Sequence, residues 1–178
     1  ERALAISNVM RNIFSLVGVF IWAFASTTNA MVSNIIGQGR TNEVQKLIYK
    51  IMKLSLSSAI IMFILFNVFA GELLSVFRLS DSFISEAIPV LRIVTTGMLL
   101  MSVSVVWLNA VTGTGNTRMN LIIEAVTIIL YLIYIYTVLE LYQLSLVWAW
   151  GSELIYWTTI FLMAFFYIRS RKWEGKVI

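Results

Sequence analysis

The sequence predicts an all-α integral membrane bundle of five transmembrane helices, and three observations carry that reading. Hydrophobic residues make up 60% of the 178 residues and charged residues only 12%, against ~45–50% and ~25% in an ordinary soluble domain. So much apolar surface cannot be hidden in one soluble core of this size. Long charge-free stretches run from Arg11 to Arg40, from Lys53 to Glu72 and from Arg92 to Arg118, and a helix needs only ~20 apolar residues to cross the hydrocarbon. No barrel-like alternation of short strands appears, so backbone groups in lipid must be satisfied within each segment, as helices.

The predicted spans are 12–36, 48–71, 88–112, 120–139 and 147–168. The fourth is interrupted only by Glu124 and the fifth only by Glu153. Between the first two, Thr41 is a candidate N-cap with Glu43 in the first turn. Val44, Leu47, Ile48 and Ile51 form an apolar stripe there, and Lys46, Lys50 and Lys53 line another face from which they snorkel to the headgroups. Pro89, the only proline, follows an outer amphipathic segment at 82–87 and predicts a kink or change of direction. Trp148, Trp150 and Tyr142 read as an outer aromatic belt and Trp173 as an inner anchor.

The inventory excludes several functions. There are no cysteines and no histidines, and Asp81 is the only aspartate, so neither a metal site nor an enzyme is expected. The net charge of +4 reads as loops facing an anionic leaflet, with the bilayer and not nucleic acid as partner. Arg40, Lys46, Lys50, Lys53, Arg118, Arg169, Arg171, Lys172 and Lys176 fall on one side of the five spans, and Arg2, Arg11, Arg78 and Arg92 on the other. That asymmetry places the N-terminus of the chain outside and its C-terminus in the cytoplasm. An outside start without a leader implies that the chain continues a longer protein with at least one earlier span.

Two spans end in Gly-x-Gly pairs, Gly37-Gln38-Gly39 and Gly113-Thr114-Gly115. The spacing suits structural turns in which a glycine caps the helix end. A phosphate-cradling loop is disfavoured, because no strand precedes either pair and no P-loop lysine follows. The repetition hints at internal duplication, as in many transporters.

Polar residues recur at steps of three and four within the spans. The first holds Asn8, Asn12, Ser15, Trp22, Ser26, Asn29 and Ser33, and the fourth holds Asn120, Glu124, Thr127, Tyr131 and Tyr134. Thr95, Ser102 and Asn109 stand seven apart in the third. Such stripes turn away from lipid and either line a cavity or join helices. The candidate substrate pathway comprises Asn12, Asn29, Ser102, Asn109, Glu124 and Tyr131. For Ser and Thr, packing is the favoured role. For Glu124 the structural alternative is an ion pair with Arg118, and Glu153 reads as interfacial or paired.

The stretches 25–40 (ASTTNAMVSNIIGQGR), 108–118 (LNAVTGTGNTR) and 150–173 (WGSELIYWTTIFLMAFFYIRSRKW) resemble, in order and spacing, motifs of the multidrug and toxic compound extrusion (MATE) transporters: a helix ending in GxG, a GxGDT(R) turn and a last helix ending in RSxxW. The resemblance implies twelve helices in two bundles of six, with this chain similar to helices eight to twelve, most of the C-terminal bundle. It further implies a secondary antiporter of the cell inner membrane. Such a protein exports amphipathic, often cationic, organic compounds in exchange for H⁺ or Na⁺ by alternating access, with no cofactor. Its partners would be the lipid bilayer, the missing N-terminal bundle and small organic substrates. Asn116 replaces the usual Asp and Asn34 the usual Gln, and both keep a short polar side chain at the turn. The third span lacks the carboxylate of some members, with Met101 near its place, so the coupling ion is expected to bind mainly in the N-terminal half. The alternatives are a lipid-linked oligosaccharide flippase of the same superfamily and a non-transporting membrane scaffold subunit.

Overall fold

The computed structural model describes residues 2–77 and 81–174. The places assigned above to Arg78 and Lys176 lie outside them. The long helices are α1 (Arg2–Gly37), α2 (Val44–Val68), α4 (Asp81–Gly113), α5 (Thr117–Tyr136) and α7 (Ser152–Arg169). Short helices α3 (Ala70–Ser75) and α6 (Leu146–Trp150) flank α4 and α7, and a π-turn, Thr137–Leu141, extends α5. No strand occurs among the described residues. Five segments are long and apolar enough to cross a membrane: Arg2–Gly37, Thr41–Val68, Ser82–Gly113, Thr117–Leu141 and Leu146–Arg169.

Helix α4 forms the core. Val94, Val105, Val106, Ala110 and Val111 on it are completely buried. It packs against α1, α2 and α7, while α5 packs chiefly on α7. Trp107 of α4 is 1% exposed and takes edge contacts from Tyr49 (5.4 Å), Phe165 (5.0 Å) and Phe161 (6.2 Å). Its ring N–H points at the Met52 sulfur, 3.3 Å away. Lipid offers no hydrophobic drive between helices, so small hydroxyls and amides join them. Ser55 donates to the Ser102 carbonyl (2.9 Å), Asn67 to Thr95 Oγ1 (3.1 Å) and Ser104 to the Trp157 carbonyl (2.7 Å). The outer surface is apolar, with Ile61, Ile64, Leu121, Ile129, Leu132 and Ile133 all exposed.

Several elements differ from their expected form. Helix α1 begins ahead of the charge-free stretch, because Arg11 bonds Asn8 at the surface (3.1 Å) and Arg2 pairs with Glu86 (3.2 Å) while lying over the Phe83 ring. Helix α4 runs unbroken through Pro89, so the outer amphipathic segment is its first turns. A proline here forfeits one helical bond, to the Ser85 carbonyl. Thr41 opens a short 3₁₀ turn and caps nothing with its side chain, and Glu43 instead takes two 2.7 Å hydrogen bonds from Arg40. Trp173 is buried and folds back on α7, where its ring N–H donates to the Ile168 carbonyl (2.9 Å).

The two glycine turns use different bonds. At the end of α1, Gly39 adopts φ +74°. Its N–H reaches the Ile36 carbonyl and that of Arg40 reaches Ile35, which is the Schellman pattern. At the end of α4, Gly115 adopts φ +75° and bonds Thr112. There the Val111 carbonyl accepts from the Thr114 hydroxyl at 2.7 Å. Asn116 then caps α5 through Met119 N–H (3.1 Å) and donates to Tyr167 Oη (2.6 Å). This is the work a short polar residue does at that position.

Candidate ion and substrate site

Helices α5 and α7 lie antiparallel and bring two carboxylates into one aromatic cluster. Tyr156 Oη donates to Glu124 Oε2 at 3.2 Å, and the Trp157 ring N–H donates to Glu153 Oε2 at 2.9 Å. The Tyr156 and Trp157 rings meet edge-on at 4.9 Å, and Tyr131 of α5 meets Tyr156 at 6.0 Å. Glu153 sits close against α4 because residue 97 is a glycine: a Cβ there would stand 3.2 Å from that of Glu153.

The cluster opens into a groove between α1, α5 and α7. A cavity of about 420 Å³ is lined by Phe14, Tyr131, Glu153, Tyr156 and Trp157, with Ile128 and Leu132. A smaller one of about 200 Å³ shares Tyr131 and Glu153 and continues to Trp150 and Ser152. At that end Trp150 Nε1 reaches Ser7 Oγ of α1 at 3.4 Å.

Neither carboxylate has a cationic partner among the described residues. The ion pairs among the described residues are Arg2–Glu86, Arg40–Glu43 and Arg171–Glu174. The expected Glu124–Arg118 pair does not form, because Glu124 turns to Tyr156 on α7 and Arg118 is exposed. A charge inside a span is costly, and each acid has one hydrogen-bond donor where an ionised carboxylate accommodates about four. Such groups suit a proton or a positively charged ligand, and the ring faces add cation–π attraction. No group of three His, Cys, Asp or Glu side chains suited to a metal occurs among the described residues.

The residues singled out in the sequence fall in several places. Glu124 and Tyr131 belong to this cluster. Ser102 on α4 is completely buried, and its carbonyl accepts from Ser55 of α2. Asn109 is half-buried and donates back to the Val105 carbonyl (2.9 Å). Asn29 is half-buried beside α4, and Asn12 is exposed, as are Asn8, Ser15, Trp22, Ser26 and Ser33 on the same face of α1. Gly113 is a close-approach glycine: a Cβ on it would lie 2.9 Å from the Asn29 carbonyl oxygen and 2.9 Å from Val32 Cβ. Gly37 is helical with open space beside it. The sequence reading missed Phe14, Gly97, Tyr156, Trp157 and the cavity position of Glu153. The i, i+4 spacing of Glu153 and Trp157 was the available signal, but the place of Glu153 near the outer end of the fifth span made it read as interfacial or paired.

A family model, MatE, matches residues 1–137. The chain belongs to the MatE family. No curated protein and no solved structure matches it. The matched part carries α1 to α5 and therefore Glu124 and Tyr131, while Glu153, Tyr156 and Trp157 follow it. MatE proteins are membrane transporters of the MATE superfamily. Five helices long and apolar enough to cross a membrane agree with a multi-pass membrane protein.

Proposed function

We propose that this MatE chain is part of a secondary active antiporter of the cell inner membrane. It exports amphipathic, cationic organic compounds in exchange for H⁺ or Na⁺ by alternating access. The observation that carries this reading is the groove in which Glu153 stands among Phe14, Tyr131, Tyr156 and Trp157, with Glu124 joined to it through the Tyr156 hydroxyl and neither carboxylate ion-paired among the described residues. Carboxylates attract a cation, and aromatic walls accept both its charge and its apolar body. The exposed polar face of α1 supports a second part of the proposal. Asn12, Ser15 and Ser26 would be costly against lipid, and a facing N-terminal bundle with a central wet cavity gives them a partner.

The proposed orientation has the glycine turns and the α7 end in the cytoplasm, where Arg40, Lys46, Lys50, Lys53, Arg118, Arg169, Arg171 and Lys172 meet an anionic leaflet. The test is ethidium efflux from cells stripped of their own pumps. The full-length protein should extrude the dye, and Glu124→Gln and Glu153→Gln at equal membrane abundance should lose most of that activity. Undiminished efflux by both variants would remove the groove from the mechanism.

A further inference from the structure

We infer that Glu124 and Glu153 form a proton-binding site within this bundle, bridged by the adjacent Tyr156 and Trp157. The site would supply the coupling ion locally, not from an N-terminal half. Proton binding stands on its own observations, and only its coupling role rests on the antiport reading.

Geometry favours a proton over a metal ion. Sodium sites in transporters draw on unwound backbone carbonyls, and here α5 over Thr117–Tyr136 and α7 over Ser152–Arg169 are continuous helix. The described donors to the two carboxyls are one O–H and one N–H, which leave acceptor positions open on each. A second, independent sign of an incomplete polar site lies beside Glu124. Thr127 Oγ1 is fully buried and has no hydrogen-bond partner. It stands one turn from both Glu124 and Tyr131 on the face of α5 that meets Tyr156. A helical threonine ordinarily bonds the carbonyl a turn earlier, so this hydroxyl is available to a protonated carboxyl or to a water joining it.

The surroundings are poor in charge. From α5 the cluster is faced by Tyr131, and Arg118 lies beyond Glu124 at the helix start. From α7 it is faced by Tyr156. Helix α4 carries no titratable residue between Arg92 and its C-terminus, and it meets the cluster with Gly97. From α1, Arg11 shares a face with Ser7 and Phe14, but its guanidinium is exposed and bonded to Asn8. Loading forms one O–H bond on a carboxylate oxygen and breaks one in a hydronium ion, which leaves as water, and unloading reverses both.

Infrared difference spectra of the full-length protein in lipid nanodiscs, acidic minus neutral, test the site without requiring transport. Wild type minus the Glu124→Gln/Glu153→Gln double variant should show a protonated-carboxyl band, and each single variant should lose part of it. Tyr156→Phe and Trp157→Phe should shift the band's frequency while keeping its intensity, which a merely structural role would not do. These two variants also carry the test if the double variant fails to fold. Absence of the band, a band unmoved by both aromatic substitutions, or its displacement by sodium chloride but not by choline chloride would overturn the proposal. Ethidium release from proteoliposomes under a pH gradient separates the two readings. An intact band with efflux indifferent to that gradient would leave the proton site standing and sink proton-driven antiport.

Discussion

Ser33 Oγ on α1 donates a 3.0 Å hydrogen bond to the carbonyl of Gly113 on α4. Both residues lie at the ends of their helices where the glycine turns begin, so the bond ties the two turns together. It forms because Gly113 lacks a side chain: a Cβ would meet the Asn29 carbonyl oxygen and Val32 Cβ, each at 2.9 Å. Gly113→Ala should therefore force α1 from α4 and cost ~1–3 kcal/mol, as overpacking does. Gly37→Ala, with open space beside it, should stay within ~0.5 kcal/mol of wild type. Thermal unfolding of the full-length protein in detergent reads the difference, and equal effects would contradict the packing.

The second glycine of each turn has a different requirement. Gly39 and Gly115 sit at φ +74° and +75°, where a Cβ costs roughly 1–2 kcal/mol. Alanine should destabilise at both positions and asparagine markedly less. Alanine and asparagine that unfold together would argue against a left-handed turn.

Trp107 should be the most sensitive core position. It is buried among Tyr49, Phe161 and Phe165, and Trp107→Ala should cost ~3–5 kcal/mol. Trp107→Phe should retain much of the packing while losing the contact with the Met52 sulfur. The chain's other tryptophans mask its fluorescence, so the measurement is again a melting curve.

Glu124 should answer to Tyr156 and not to Arg118. Glu124→Gln keeps an acceptor for the tyrosine hydroxyl and should stay folded while efflux falls. Arg118→Ala should change stability by less than ~0.5 kcal/mol, and exchanging the two residues should not restore function. Recovery in the swapped protein would mean that the pair meets during transport.

The chain contains no cysteine, so single cysteines can report its orientation. Impermeant maleimide should label positions 82 and 142 from outside, and 38, 117 and 170 only after lysis. Position 117 serves better than 114, because the Thr114 side chain is buried and bonded to Val111. External labelling at 38 would reverse the proposed topology.

Glu124 and Glu153 show where legibility ended. Each was conspicuous as a lone carboxylate in an apolar stretch, because charge in a span stands out from composition alone. Their partners were not visible. Tyr156 and Trp157 look like any aromatic pair in a membrane helix, and Gly97 like any glycine, until α4, α5 and α7 are set side by side. Spacing could not say that Ser102 joins two buried helices while Asn12 on α1 is left exposed.

The sequence by itself determined the elements: five apolar helices, two glycine turns, a basic side and a family resemblance. Those features follow from local chemistry, since hydropathy over ~20 residues, φ at a glycine and the charge of a loop need no distant partner. Only the tertiary structure decided that α4 is the core, that Gly113 is a contact while Gly37 is not, and that Glu124 bonds Tyr156 on α7, not Arg118 on its own helix. In lipid all apolar faces are equally welcome, so the choice among them falls to close packing and a few hydrogen bonds between distant residues. Such matches are made pairwise in space and leave no periodic trace along the chain.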